Sequence, residues 1–246
     1  MENVNELIAL LRNLNPENME KITVKVKFIE GILGTASNDK EIYSKFIASK
    51  SPDAASIEDE VAAVGVDEFV EKGTTVFPKL EDGTPYLYDY QIKGFFKDTC
   101  KMLSKLTKKD PETGKKGKAV NESSKITAYK SVIDGLIFVT PRKIPFKFDG
   151  DISICQRPLR ASTAQGERIA LASSEEIPAG AEIEFQVLCM SDDHLKAVIE
   201  WLDYGYFRGI GQWRNSSKGR FCYEAYDEKM GYICGNMDLA EAYMSA

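Results

Sequence analysis

Three glycines, three cations and a tryptophan fall within thirteen residues near the end of the chain. The segment reads Gly209-Ile-Gly211-Gln-Trp213-Arg214-Asn-Ser-Ser-Lys218-Gly219-Arg220-Phe221, with Arg208 just before it. Glycine lets a backbone approach a partner closely, and its N–H can point at a phosphate oxygen. Arg208, Arg214, Lys218 and Arg220 add charge, and Trp213 offers a face on which a base can stack. The chemistry this mixture suits is the gripping of a flexible polyanion. It is not a nucleotide-hydrolysing loop, which would end in Gly-Lys-Ser/Thr after a strand, and it does not open a helix as a dinucleotide fingerprint does. Standing alone, the segment also reads as a plain glycine-rich hairpin.

Bond-breaking chemistry has fewer candidates. His194 is the only histidine, so a serine or cysteine triad would have to run through it. It follows Ser191-Asp192-Asp193, a capped helix start, where a residue of the first turn is ordinarily plain surface. The five cysteines (Cys100, Cys155, Cys189, Cys222, Cys234) form no CxxC pair. That spacing holds no zinc, and the thiols read as small buried hydrophobes. No metal and no cofactor is expected.

At 246 residues the chain can bury one sizeable core, with room for an insertion. Its net charge of −6 opposes coating nucleic acid by bulk electrostatics. Acids outnumber bases in the first 80 residues, whereas basic residues gather in later segments. No apolar stretch is long enough to span a bilayer, and the start lacks the basic-then-apolar order of a secretory signal, so a cytoplasmic protein without membrane contact is expected.

The elements that must position the glycine-rich segment follow from periodicity. Glu6 to Arg12 reads as a short helix, and Ile22 to Ile29 alternates as a strand with one wet face. Residues 39–72 form an acidic helical insertion, with Ser51-Pro52-Asp53 as a start signal. Thr74 to Pro78 is extended, and a helix is expected from about Asp89 to Leu106. Residues 105–125 hold seven lysines and few apolar residues, the pattern of a solvated flexible loop. Strands are expected at Lys125–Val139, Gly150–Arg157, Glu167–Ser173 and Ala181–Met190, then a helix from Asp192 to Leu202 and a strand at Phe221–Tyr223. This order suits an α+β, ferredoxin-like (RRM-like) core with an antiparallel sheet. Arg157 to Arg168 could form a β-hairpin thumb, with Arg157 and Arg160 as its phosphate contacts, or an ordinary surface hairpin.

Gly209 to Phe221 resembles the C-terminal glycine-rich loop of the RAMP superfamily, which includes CRISPR RNA-binding backbone subunits and related processing nucleases. Pro85-Tyr-Leu-Tyr-Asp-Tyr-Gln-Ile-Lys93-Gly94-Phe-Phe-Lys97 is similar to that family's P-Y-I-P-G-S-S-L-K-G-x-x-R segment. Glu176 to Phe185 is similar to its l-P-a-G-t-x-F strand entry. The three occur in the family's order over most of residues 20–226, as one domain spanning 1–246. The resemblance implies a single-domain RAMP-like subunit that binds single-stranded RNA, or single-stranded DNA. The residues it carries over are Lys93, Gly94 and Lys97 with Arg208, Gly209, Gly211, Trp213, Arg214, Lys218, Gly219 and Arg220. Partners would be copies of the chain or other RAMP-like subunits, in antiviral defence. The sequence departs from the family pattern at Tyr88-Asp89-Tyr90-Gln91, where small residues are usual, at Lys97 for arginine, and at Gln212 for glycine.

Two other readings stay open. A chain that keeps the RAMP fold with altered charge would be a phage- or plasmid-borne decoy, or an assembly protein, docking on a protein complex. Some RAMP proteins cut target RNA with an aspartate after the first strand, and Asp39 lies in that region. A metal-dependent ribonuclease would use it as a catalytic residue, although Asp39 equally suits a helix cap.

Overall fold

The computed structural model describes residues 20–37, 74–109, 116–119, 121–163, 166–228 and 230–245. In chain order these form β1 (Glu20–Phe28), β2 (Ile32–Leu33), β3 (Ala36–Ser37), β4 (Thr75–Val76), β5 (Tyr86–Tyr88) and α1 (Asp89–Leu103). Next come β6 (Thr107–Lys109), β7 (Lys116–Ala119), α2 (Tyr129–Leu136), β8 (Ile137–Thr140), β9 (Lys143–Lys147), β10 (Ser153–Thr163) and β11 (Gly166–Ile177). The last are β12 (Glu182–Cys189), α3 (Asp192–Arg208), β13 (Phe221–Asp227), β14 (Gly231–Gly235) and α4 (Met237–Met244).

The main sheet runs β14-β13-β1-β12-β9-β5, and β8 pairs with β12 end to end with β9. All these pairings are antiparallel. With β8 and β9 taken as one interrupted strand, the core reads β1, α1, β8/β9, β12, α3, β13. Its spatial order is fourth, first, third, second. That is the split βαβ, ferredoxin-like arrangement, and the fold class is α+β.

Local chemistry explains the register. On β1, Ile22, Val24, Val26 and Phe28 are buried while the residues between them are not. A slip of one residue would turn all four into water, so the alternation fixes the pairing. The outer face carries Lys27 opposite Glu182 and Lys25 opposite Glu184, a charge-balanced pattern. α3 begins where Ser191 Oγ accepts the His194 N–H at 3.3 Å, with Asp192 and Asp193 in the first turn complementing the helix dipole. His194 is thus part of a cap. Inside, Phe96 packs on Trp201 at 5.4 Å, and the indole donates to Ser123 Oγ at 2.9 Å. Cys100, Cys189 and Cys222 are buried, and burial raises their thiols to about 11, 12 and 11, as small hydrophobes would behave.

Several expectations need correction. Lys125–Val139 is not one strand. It holds a 3-10 turn (Glu122–Lys125) that overlaps its start, then α2, and only Ile137–Thr140 is extended. Glu200 pins that turn by accepting from the N–H and Oγ of Ser123, at 2.9 and 2.6 Å. Within the stretch read as a flexible loop at 105–125, β6 and β7 pair with one another, and residues 110–115 and 120 lie outside the described residues. β14 and α4 extend the fold past the last expected strand. The hairpin is longer than expected, with β10 and β11 paired from Ser153↔Glu176 to Thr163↔Gly166. The helix expected at Glu6–Arg12, the insertion at 39–72 and Asp39 lie outside the described residues.

Candidate nucleic-acid interface

Three distant segments converge on the glycine-rich loop. Asp98 on α1 accepts from Arg208 Nε at 2.9 Å and from Arg214 Nη1 at 2.6 Å. Burial pushes the Asp98 carboxyl up, but the Arg208 hydrogen bond and the two guanidinium charges outweigh it and hold the group below its ordinary 3.8. Lys218 pairs with Glu176 on β11. Arg157 on β10 donates to Gln212 Oε1 at 2.8 Å and lies 5.1 Å from the Trp213 ring, and Gln212 Nε2 in turn donates to the Gly34 carbonyl at 3.1 Å. Arg220 donates to the Tyr206 carbonyl at 2.6 Å and lies between the rings of Tyr206 and Tyr243, at 4.9 and 5.1 Å. Loop, α1 and hairpin root therefore form one composite surface.

The glycines serve this convergence directly. Gly209 and Gly219 both have φ of +71°, and a Cβ on Gly219 would sit 1.9 Å from the Ile210 carbonyl oxygen. Their N–H groups donate to Gly205 and to Gly31, at 3.1 and 2.9 Å. The expectation that these two N–H groups face a phosphate is therefore corrected: close backbone packing occupies them. Gly211, at φ +89°, lies on Leu33 and Ile32.

Arg157 is 8% exposed, so it is set into the surface and not freely displayed. Arg160 lies on β10 opposite Ile169, and its side chain is outside the described residues. Trp213 keeps 37% exposure although it adopts a left-handed backbone, φ +55°. That conformation costs a bulky residue on the order of 1–3 kcal/mol.

The segment carrying Lys93, Gly94 and Lys97 forms the first half of α1. Gln91 Oε1 accepts the Tyr88 N–H at 2.7 Å, and its Nε2 donates to Thr35 Oγ1 at 2.7 Å, which ties the helix start to the chain beyond Gly34. Lys97 pairs with Asp134 at 2.6 Å, while Lys93 donates to the Asp134 carbonyl at 3.2 Å and lies 5.2 Å from the Phe138 ring. Sequence reading missed a cluster at this helix start. Tyr88 stacks on Tyr90 at 5.1 Å and 18°, Arg142 lies 5.7 Å from the Tyr88 ring, and Lys143 lies 5.3 Å from the Tyr86 ring. The pairing of Tyr88 with Lys143 across β5 and β9 brings these residues together, and only the long aromatic run Tyr86–Tyr90 signalled it.

No group of three or more His, Cys, Asp or Glu able to hold a metal occurs among the described residues. No described helix is long and apolar enough to cross a membrane.

The site and strand order together define an α+β domain of ferredoxin-like topology with a long β-hairpin rooted beside a glycine-rich loop. No protein-family model and no curated protein matches the chain. Among solved structures it is similar to a chain of the cryo-EM structure of the Type III-B Cmr-beta bound to cognate target RNA. The identity is 12%, the TM-score 0.46, and the alignment covers 96% of this chain and 66% of that one, so this chain spans just under two thirds of its length.

Proposed function

We propose that this chain is a single-stranded nucleic-acid-binding subunit, with RNA as its ligand, of a RAMP-type, CRISPR-like ribonucleoprotein. The observation that carries the reading is the convergence of the glycine-rich loop, α1 and the hairpin root. Asp98, directly after one RAMP-like segment, holds Arg208 and Arg214 at and within the other, 110 and 116 residues later in the chain. Trp213 supports it: in a costly backbone conformation it stays 37% exposed, and the part of its ring that Arg157 does not cover could take a base. The hairpin β10–β11, beside Trp213 through Arg157, would act as the thumb that separates bases. Partners would be further copies of the chain or other RAMP-like subunits.

A second reading has its own observation. Each described cation of the loop already has an acceptor within the chain, and the whole chain carries a net −6. A RAMP-like decoy that docks on a protein complex would need no free cations there.

Purification from cells, with the 260/280 nm absorbance ratio and mass by light scattering, tests the choice. The proposed function predicts a multimer that carries nucleic acid. A monomer free of nucleic acid that co-purifies with a protein complex would replace it with the docking reading.

A further inference from the structure

The α1 start combines three features. Tyr90 is 53% exposed and lies nearly parallel to Tyr88, so one planar ring already rests on another. Cations outnumber acids around it: Lys93, Lys97, Arg142 and Lys143 stand beside Asp89 and Asp134. Both of those carboxylates are occupied, Asp89 by Arg142 and the Tyr90 N–H, and Asp134 by Lys97. Arg142 keeps 71% of its side chain exposed. On the open face of β1, by contrast, Lys25 and Lys27 stand opposite Glu184 and Glu182.

The third feature is Gly94. It lies in the middle of α1, where glycine weakens a helix, and a Cβ there would meet nothing within 4 Å. Internal packing therefore gives no reason for it. Tyr90, Lys93, Gly94 and Lys97 stand three, four and seven residues apart, so they share one face of the helix. A glycine between an exposed ring and two lysines leaves room for a strand to lie against the helix backbone.

We infer that this face is a stacking subsite for an unpaired nucleobase, with the base on the open side of Tyr90, the sugar-phosphate crossing Gly94, and Lys93 and Arg142 meeting the phosphates. The inference rests on the single-strand reading above and specifies how that surface holds its ligand. A ring face accepts any base, so the subsite confers affinity without sequence preference. Stacking does not release counterions, and this part of the affinity persists as salt rises.

The test uses the full chain and a 12-nucleotide single strand, as RNA and as DNA, carrying 2-aminopurine at successive positions. On binding, fluorescence at one or more positions should fall in both strands, because the ring reads the base and not the sugar. Tyr90→Ala should lose about 5- to 150-fold in affinity together with that quenching. Tyr90→Phe should keep both, since it retains the ring face. Gly94→Ala should weaken binding even though the helix gains stability. Wild-type binding with Tyr90→Ala equal to wild type in affinity and quenching would overturn the stacking subsite and leave the single-strand reading standing. If wild type binds neither RNA nor DNA, both fall together. A protein complex lost on Tyr90→Ala, with no oligonucleotide bound, would assign the face to protein docking and overturn the inference.

Discussion

The glycine-rich loop and the β5–α1 edge are built from the same residue types, cations beside aromatic rings, and they use them in opposite ways. In the loop the cations are turned to internal acceptors, and two glycines are demanded by backbone contacts as close as 1.9 Å for an added Cβ. At the edge the ring of Tyr90 and the guanidinium of Arg142 stay exposed, and Gly94 has open space above it. The loop resembles a binding motif in sequence, but most of its residues hold the fold together. The edge departs from the motif and presents the groups a ligand could reach. Residue type alone does not separate the two roles, and neither does the presence of a partner, since Arg142 also pairs with Asp89; exposure does, at 71% for the Arg142 side chain against 22% and 26% for Arg208 and Arg214.

Substitutions can break that contrast. The largest effect is expected at Gly219→Ala, where a left-handed backbone and a carbonyl clash combine to cost more than about 3 kcal/mol. Urea unfolding checks it, and a near-neutral result would show the loop to be slack. Asp98→Ala leaves two half-buried guanidiniums without their shared acceptor and should cost about 1–3 kcal/mol in the same assay. Because the Asp98 carboxyl is held below 3.8, its contribution is present above that value and lost as pH falls through its lower folded value. The gap between wild type and Asp98→Asn in thermal midpoint should therefore narrow as pH falls below the ordinary carboxylate value of 3.8.

At the edge the signs change. Gly94→Ala should stabilise the protein by about 0.5–1 kcal/mol, read as a rise in thermal midpoint, while single-strand affinity falls. Opposite signs in stability and binding are what a binding glycine gives; a glycine kept only for folding would move both together. Tyr90→Ala should cost about 0.5–1.5 kcal/mol through the lost stack on Tyr88, so its binding loss is read where the variant is fully folded.

Much of the fold was legible because its signals are local. β1 declared itself by alternation, α3 by the Ser191 cap, and the order of strands and helices gave the split βαβ class. α2 was misread because β-branched residues before, within and after it (Ile126, Thr127, Val132, Ile133, Ile137, Val139) look extended at short range. The site was legible in composition and not in partnership. Arg208 and Arg214 were visible as cations, but Asp98, which holds them, lies 110 and 116 residues earlier. Tyr88 and Tyr90 read only as departures from a motif, since the strand pairing that brings Arg142 and Lys143 to them is long-range.

The central claim, that the composite surface binds a single strand, is tested most directly by fluorescence anisotropy of the full chain with a single-stranded 12-nucleotide RNA across a salt series. Saturable binding is predicted, with log affinity falling against log salt by about 0.7 for each phosphate contacted, and with a duplex of the same sequence competing poorly. No binding at low salt, or equal preference for the duplex, would contradict it.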